Sequence, residues 1–405
     1  MKRVLIYTDC NLFGGSEHAI INLLKNNELK KQVQFTFAYR YHRTYKDKIS
    51  ELLAAEEDLS IIPIRLLTNY GISGLLKKLF HIKILYRISF AFFFYCEKVG
   101  IYNIINRFRI KNFLRKHHYD IVHVNNGGYP GARSCLIMAE ESAKYHSKVI
   151  LQVNNIANGT MKKSVNESVV KSVDFFITAS QIAKSALKDV LSILQDSKIL
   201  TIPHFVDHVQ PKKSRSEVLS SCNIREDSML IVEVALLQQR KGQVELVKAI
   251  PNLLKMIDKD IHVVLIGNGE YEGRIIDAIK EHNLESNIHM LGYRDDYIDF
   301  LNAADVVALP SLKDEDMPLT IISALSLGKP VVSTRLAGIP EEIEDGVSGV
   351  LIEPQSESFI QDLTNAIYKA YNEKEMLSVN AKKRYMAMFS KEKFTESYLN
   401  LYSSL

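Results

Sequence analysis

The stretch Leu309–Ile352, LPSLKDEDMPLTIISALSLGKPVVSTRLAGIPEEIEDGVSGVLI, constrains the fold more than any other part of the chain. It reads as strand, polar loop, helix, strand, glycine turn and short strand, with Glu315 just ahead of a helix that starts near Pro318. Apolar strand, helix and second β-branched strand in that order form the repeating unit of a parallel sheet. The start of the helix presents backbone N–H groups at the positive end of its dipole, which suits a diphosphate. A carboxylate beside it can accept hydrogen bonds from sugar hydroxyls. The pairing points to a nucleotide-sugar site.

The same alternation runs along the whole chain. Val4–Thr8, Phe35–Tyr39, Ile121–Val124, Val149–Val153, Phe175–Thr178 and Ile199–Ile202 read as strands. Helical stretches such as Glu17–Leu24, Ile104–Lys116, Ala132–Lys144 and Gln181–Leu191 lie between them. A polar, basic, turn-rich break follows at Pro203–Ser216. The pattern then restarts with Met229–Val234, the helix Val244–Leu254, His262–Ile266, Ile288–Leu291, Val306–Leu309, the helix Leu319–Leu327 and Pro330–Ser333, and Ser358–Leu405 is largely helical. A chain of 405 residues is too long for one ordinary core and fits two domains of about 200 residues. The expected architecture is α/β: two Rossmann-like, doubly wound domains with a ligand cleft between them at the carboxyl ends of the strands. The boundaries read as 1–205, 206–385 and a last helix, 386–405, that packs back on the first domain.

Composition excludes several classes. The four cysteines, Cys10, Cys96, Cys135 and Cys222, have no metal-ligand spacing and read as buried thiols in a reducing compartment. Met1-Lys2-Arg3 leads straight into a strand, so no secretory signal is expected. A formal net charge of +4 is too small to imply nucleic acid binding. The charge is unevenly placed, however. Between Leu67 and His118 ten basic residues face the single acid Glu97, a local excess of +9 interleaved with Leu, Ile, Phe and Tyr. Such a mixture suits peripheral contact with an anionic lipid surface; the alternative is a pair of helices that pack on the first domain and expose a basic face. The uncharged aromatic run Ile88–Cys96 falls far short of the ~20 residues that span a bilayer.

Three loops carry candidate chemistry. In the first βα turn, Asp9–Glu17, the pair Gly14-Gly15 lets backbone approach a phosphate or sugar; equally, it is a tight turn with Ser16 and Glu17 capping a helix. Gly267-Asn268-Gly269 lacks the third glycine at the right spacing and an acid at the end of the next strand, so it reads as a βα loop lining the cleft and not as a nicotinamide fingerprint. Arg240-Lys241-Gly242 puts two cations before a helix, where charge develops on a departing diphosphate.

Together with Glu315–Ala324, Gly328–Thr334, Ala337–Glu341, Gly292–Asp296, Ala304-Asp305 and Gly14–Glu17, the run Arg240–Gln243 resembles glycosyltransferase family 4. This is the "group 1", retaining family of GT-B fold. The resemblance spans nearly the whole chain and is densest in the second domain. It implies that Lys241, helped by Arg240, holds the donor diphosphate, and that Glu315 binds the donor sugar's hydroxyls. Backbone N–H groups around Met317, Pro318, Leu319 and Thr320 would meet the sugar and distal phosphate, with Gly14 and Gly15 approaching that phosphate. Asp120-Ile121-Val122-His123 resembles a strand-end motif of the family on the acceptor side.

Three departures stand out. The second of two glutamates spaced along the family pattern is Ser323 here, in the place that grips the nucleotide ribose. A hydroxyl replacing a carboxylate there costs on the order of 1–3 kcal/mol of donor binding. The usual arginine five residues before the lysine is Leu236, and Asn154 stands where many relatives carry a histidine. The resemblance implies transfer of a sugar from a nucleoside-diphosphate donor, UDP or GDP, to a hydroxyl of a cell-surface glycan or lipid-linked saccharide. It calls for no cofactor and no metal, and places the protein in the cytoplasm at the inner face of the membrane. The competing reading, motivated by the departures, is a catalytically weakened subunit that binds nucleotide sugars or acts as a scaffold. A nucleotide-sugar epimerase fits the second-domain motifs less well.

Overall fold

Two parallel sheets organise the chain in the computed structural model, which describes residues 1–10, 14–80, 82–159, 161–207 and 210–405. Asn11–Phe13 of the first βα turn and His208–Val209 of the interdomain break therefore lie outside the described residues. The chain divides into two units: Met1–Ile202 with Thr395–Leu405, and Pro203–Phe394.

The first unit holds β1 (Lys2–Thr8), β2 (Val33–Arg40), β3 (Ser60–Ile64), β4 (Ile121–Asn126), β5 (Lys148–Val153), β6 (Phe175–Thr178) and β7 (Ile199–Thr201). They form one sheet in the order β3-β2-β1-β4-β5-β6-β7. Burial of both faces explains the near-continuous apolar runs, as in β1, where Val4, Leu5, Ile6 and Tyr7 are all inaccessible. β3 is the strand that periodicity missed: Pro63 has no N–H to give to a ladder, and the strand is accordingly an edge strand. The C-terminal helix Lys391–Ser404 ends in this unit. There Tyr398 and Tyr402 are buried against His123 of β4, and Lys2 Nζ donates to the Tyr402 carbonyl at 2.9 Å.

The second unit holds β8 (Met229–Val234), β9 (Ile261–Ile266), β10 (Ile288–Met290), β11 (Val306–Leu309), β12 (Val331–Thr334) and β13 (Val350–Ile352). Their order is β10-β9-β8-β11-β12-β13, every named pair parallel. From β8 the chain winds one way to β10 and then returns to β11 on the other side. The order therefore reverses between β8 and β11, where open α/β sheets bind ligands at the carboxyl ends of the strands. Both doubly wound sheets expected from the alternation are present. Asp305 holds the opposite end of the second sheet: it accepts from the Leu230 N–H at 2.9 Å, Arg215 at 2.8 Å and Lys374 at 3.0 Å.

The basic stretch forms three helices, Asn69–Leu79, Lys83–Lys98 and Ile101–Lys116, where the alternative reading had a pair. They share a small core of Ile72, Leu76, Cys96 and Tyr102. Among the described residues no single helix is long and apolar enough to cross a membrane.

Candidate active site

Loops leaving β8, β11 and β12 meet at one ion pair. After β8 the chain makes a single tight turn, Gln239–Lys241, and Gly242 then opens the helix Gln243–Met256 at φ +82°. A Cβ on Gly242 would sit 2.1 Å from the Pro310 carbonyl oxygen, so only glycine fits. This close approach laces the β8 loop to the β11 loop, and the Leu312 N–H donates to the Arg240 carbonyl at 2.7 Å. Lys241 is carried to Glu315, and its ammonium donates to Glu315 Oε2. Both side chains are largely buried.

Second partners hold the pair in place. Ser311 Oγ donates to Glu315 Oε2 at 3.0 Å, and the Ser311 carbonyl accepts from Thr334 Oγ1 of β12 at 2.7 Å. Ser333 Oγ donates to the Leu309 carbonyl at 2.6 Å. Arg240 lies 3.6 Å from Glu315 and is itself fixed by the Asp314 carbonyl at 2.8 Å and Gln238 Oε1 at 2.9 Å. The two cations and the carboxylate thus stand preorganised at the point where the strand order reverses.

The helix Leu319–Ser326 begins beside them. Pro318 is its N-cap residue and no side chain caps it, so its first N–H groups remain available for an anion. Thr320 Oγ1 donates to the Val234 carbonyl at 2.9 Å and pins this end to β8. Met317 is buried under the loop.

The first unit treats the same end of its sheet differently. β4 spans Ile121–Asn126, so Asp120–His123 opens that strand and does not end it. Asp120 accepts from the Arg3 N–H at 2.7 Å at the strand's start. His123 is inaccessible, with Nε2 3.0 Å from Gln152 Oε1 and Nδ1 2.9 Å from the Tyr402 hydroxyl. Gln152 Oε1 can only accept, so Nε2 carries the proton and Nδ1 accepts from Tyr402. Burial lowers the His123 pKa to about 4, and Gln152 acts in the opposite sense. Asn154 is buried too; its amide donates to Asn125 Oδ1 at 2.7 Å and to the Asn126 carbonyl at 2.9 Å, while its Oδ1 accepts from Gln152 at 2.8 Å. Gly14 is the N-cap of the helix Gly15–Leu24, which no side chain caps, and a Cβ there would meet open space. Glu17 turns inward to Thr8 at 3.1 Å and Ser16 at 2.6 Å, and burial raises its pKa.

A family model described as "Glycosyl transferases group 1" matches residues 214–384, the segment that carries the Lys241–Glu315 pair. The match covers less than half of the chain and marks this segment as similar to the group 1 glycosyltransferases. N-acetyl-alpha-D-glucosaminyl L-malate synthase of Bacillus anthracis is 22% identical to this chain over 298 residues, 73% of this chain and 77% of the relative. Lipopolysaccharide 1,2-N-acetylglucosaminetransferase of Salmonella typhimurium is 26% identical over 207 residues, 48% of this chain and 53% of the relative. Among solved structures, Anabaena HepE in complex with UDP superposes with a TM-score of 0.75 at 16% identity over 100% of both chains. HepE in complex with UDP-glucose superposes at 0.74 and 17% identity, again over 100% of both chains. The fold is GT-B.

Two carboxyls beside this ion pair escaped the sequence reading. Glu342 is inaccessible, and neither of its oxygens has a hydrogen-bond partner among the described residues. Burial raises its pKa well above the usual range, and the charges of Asp316, Glu315 and Glu341 push the same way, toward the protonated form. Glu233 of β8 is likewise buried, and burial raises its pKa while Gln243 acts in the opposite sense. Lys241 opposes the shift of both. A signal existed in each case: Glu342 falls on the inward face set by Ile339 and Ile343, and Glu233 interrupts the apolar run MLIVEV.

The departures from the family pattern have definite places. Ser323 is buried, and its hydroxyl donates back to the Leu319 carbonyl at 2.9 Å. Leu236 is 48% exposed, leaving Arg240 as the second cation beside Glu315. The glycines Gly267 and Gly269 serve packing, since a Cβ on either would strike the Ala235 or Leu237 carbonyl oxygen at 1.8 and 2.1 Å.

Proposed function

We propose that this glycosyltransferase is a retaining enzyme that moves a hexose-type unit from a UDP- or GDP-sugar to a hydroxyl of a cell-surface glycan or lipid-linked saccharide. The observation that carries this reading is the Lys241–Glu315 pair, buried and preorganised beside the uncapped start of the helix Leu319–Ser326. A donor diphosphate would draw the Lys241 ammonium and Arg240 toward itself and take the N–H groups near Met317–Thr320. Glu315, released from Lys241, would accept from the sugar's hydroxyls. Fixed cations stabilise the charge that grows on the diphosphate as the glycosidic bond breaks. In a retaining front-face transfer the departing phosphate oxygen receives the acceptor proton, so no side-chain base is required, in keeping with an amide at Asn154.

The donor class is supported by the complexes of HepE with UDP and UDP-glucose, and the acceptor class by the Salmonella relative's name. We place the protein at the inner face of the cytoplasmic membrane on the strength of the basic, aromatic segment 67–118. The competing reading, a weakened nucleotide-sugar-binding subunit, draws on Ser323 and Leu236; the intact Lys241–Glu315 pair weighs against it. Titration calorimetry with UDP- and GDP-sugars, followed by release of free sugar or transfer to a glycan panel, separates the two. Binding with neither release nor transfer leaves the subunit; absence of binding overturns the site itself.

A further inference from the structure

The helices Lys83–Lys98 and Ile101–Lys116 leave an apolar face uncovered. On the first, Ile84, Ile88, Phe92 and Tyr95 recur at helical spacing, with Ile88 64% and Phe92 62% exposed. On the second, Ile104 is 71% and Phe108 63% exposed, and the same face continues into Lys111 and Arg115, both exposed. These side chains face away from the packed ones: the small cluster around Ile72, Leu76, Cys96 and Tyr102 and the larger core that takes Ile110 and Leu114 occupy the inward faces. A contiguous apolar surface of this kind marks an interaction site.

Charge identifies the occupant. Eight of the ten basic residues between Leu67 and His118 are exposed; Arg107 is engaged by Glu140 and Glu141, and Arg109 donates to the Arg65 carbonyl at 2.8 Å. A face that is apolar along its middle and basic at its margins, with one acid in the whole segment, complements anionic lipid and repels a second copy of itself. Neither helix can span: each has 16 residues, and the pair is bent by 69° at its break. An in-plane helix needs only its apolar face below the headgroups.

We propose that these two helices form a lipid-inserting platform, in which Ile88, Phe92, Ile104 and Phe108 enter the acyl boundary while Lys111, Arg115 and their basic neighbours engage anionic headgroups. The proposal rests on the membrane-side placement given above and adds the mode of binding. Insertion, not charge alone, is the claim.

The chain contains no tryptophan, so Phe92→Trp installs a single reporter. With phosphatidylglycerol vesicles its emission should shift to shorter wavelength and become shielded from iodide, with much weaker change on phosphatidylcholine. Flotation of the wild-type protein with phosphatidylglycerol vesicles should persist in part at about 1 M salt, where the screening length is ~3 Å. The variant Ile88→Asp/Phe92→Asp/Phe108→Asp should bind the vesicles at least ~10-fold more weakly with its melting temperature preserved. Replacing Lys111 and Arg115 by Glu should weaken binding by more than about fivefold for each charge. Binding abolished by salt and indifferent to the aspartates overturns insertion. So does failure to bind vesicles, whether the protein is monomeric or forms a dimer that the aspartates dissociate. Nucleotide-sugar binding measured in the same variants reads the second unit alone, so its loss in wild type would count against the donor site and not against the platform.

Discussion

The two units share a strand order and differ in what they place at the ends of their strands. The second unit gathers Lys241, Arg240, Glu315 and two buried acids of raised pKa, Glu342 and Glu233, there. The first unit pairs Arg40 with Asp9 at the ends of β2 and β1 and sets beside them a neutral ladder of Thr8, Asn125, Gln152 and Asn154 next to an uncharged His123. The strand order common to the two sheets thus carries a lysine–glutamate pair in one unit and an arginine–aspartate pair beside neutral amides in the other. Topology supplies the location of a site, and the side chains at the strand ends decide its chemistry.

The sharpest way to break this contrast is to remove the charges. Lys241→Ala and Glu315→Ala should each reduce transfer by about 10²–10³-fold. Each also strands a buried charge and should lower stability by about 3 kcal/mol. Lys241→Met/Glu315→Gln should recover most of that stability and none of the activity. Urea titrations beside rate assays check both halves, and a single variant that keeps most of its activity removes the site assignment.

Acid should act through the neutral histidines. Burial holds His123 and His204 at pKa values of about 4, against an ordinary value of 6.5. Protons therefore bind the unfolded chain first, and stability falls as pH drops from about 6.5 toward 4, by up to about 3 kcal/mol for each residue. His123→Gln should flatten its share of the slope; an unchanged slope would show that His123 is charged in the native state.

Base should act on the second unit. Glu342 and Glu233 have raised pKa values, so the unfolded chain releases protons first and stability declines as pH rises above about 4.5. Glu342→Gln should be the more stable protein at pH 8, by on the order of 1 kcal/mol or more. Equal melting curves across that range would mean that Glu342 is ionised. The smallest effect belongs to Ser323→Ala: its hydroxyl bonds its own helix at Leu319, so stability should change by less than about 1 kcal/mol. A tenfold loss of donor affinity would instead place Ser323 against the ribose.

Much of this was legible before any coordinates. β-branched runs located eleven of the strands within a residue or two, and a twelfth as the short strand after the glycine turn, because strands buried on both faces must be apolar throughout. β3 was hidden by Pro63, tolerable only at a sheet edge. Lys241 and Glu315 stood out as loop residues after strands, whereas their meeting depends on the approach of Gly242 to Pro310 across 68 residues of sequence, which no local pattern encodes. Ser16 and Glu17 were legible as a cap and are not one, since Thr8 competes for the carboxylate. Asp120–His123 matched a motif in letters while its register along β4 turned the histidine into the interior.

The helix Lys391–Ser404 begins in one unit and ends in the other. Tyr398 and Tyr402, which close over His123, are therefore synthesised after the whole of the second unit. On the ribosome the earlier-made lobe must wait, its histidine uncovered, until that helix emerges.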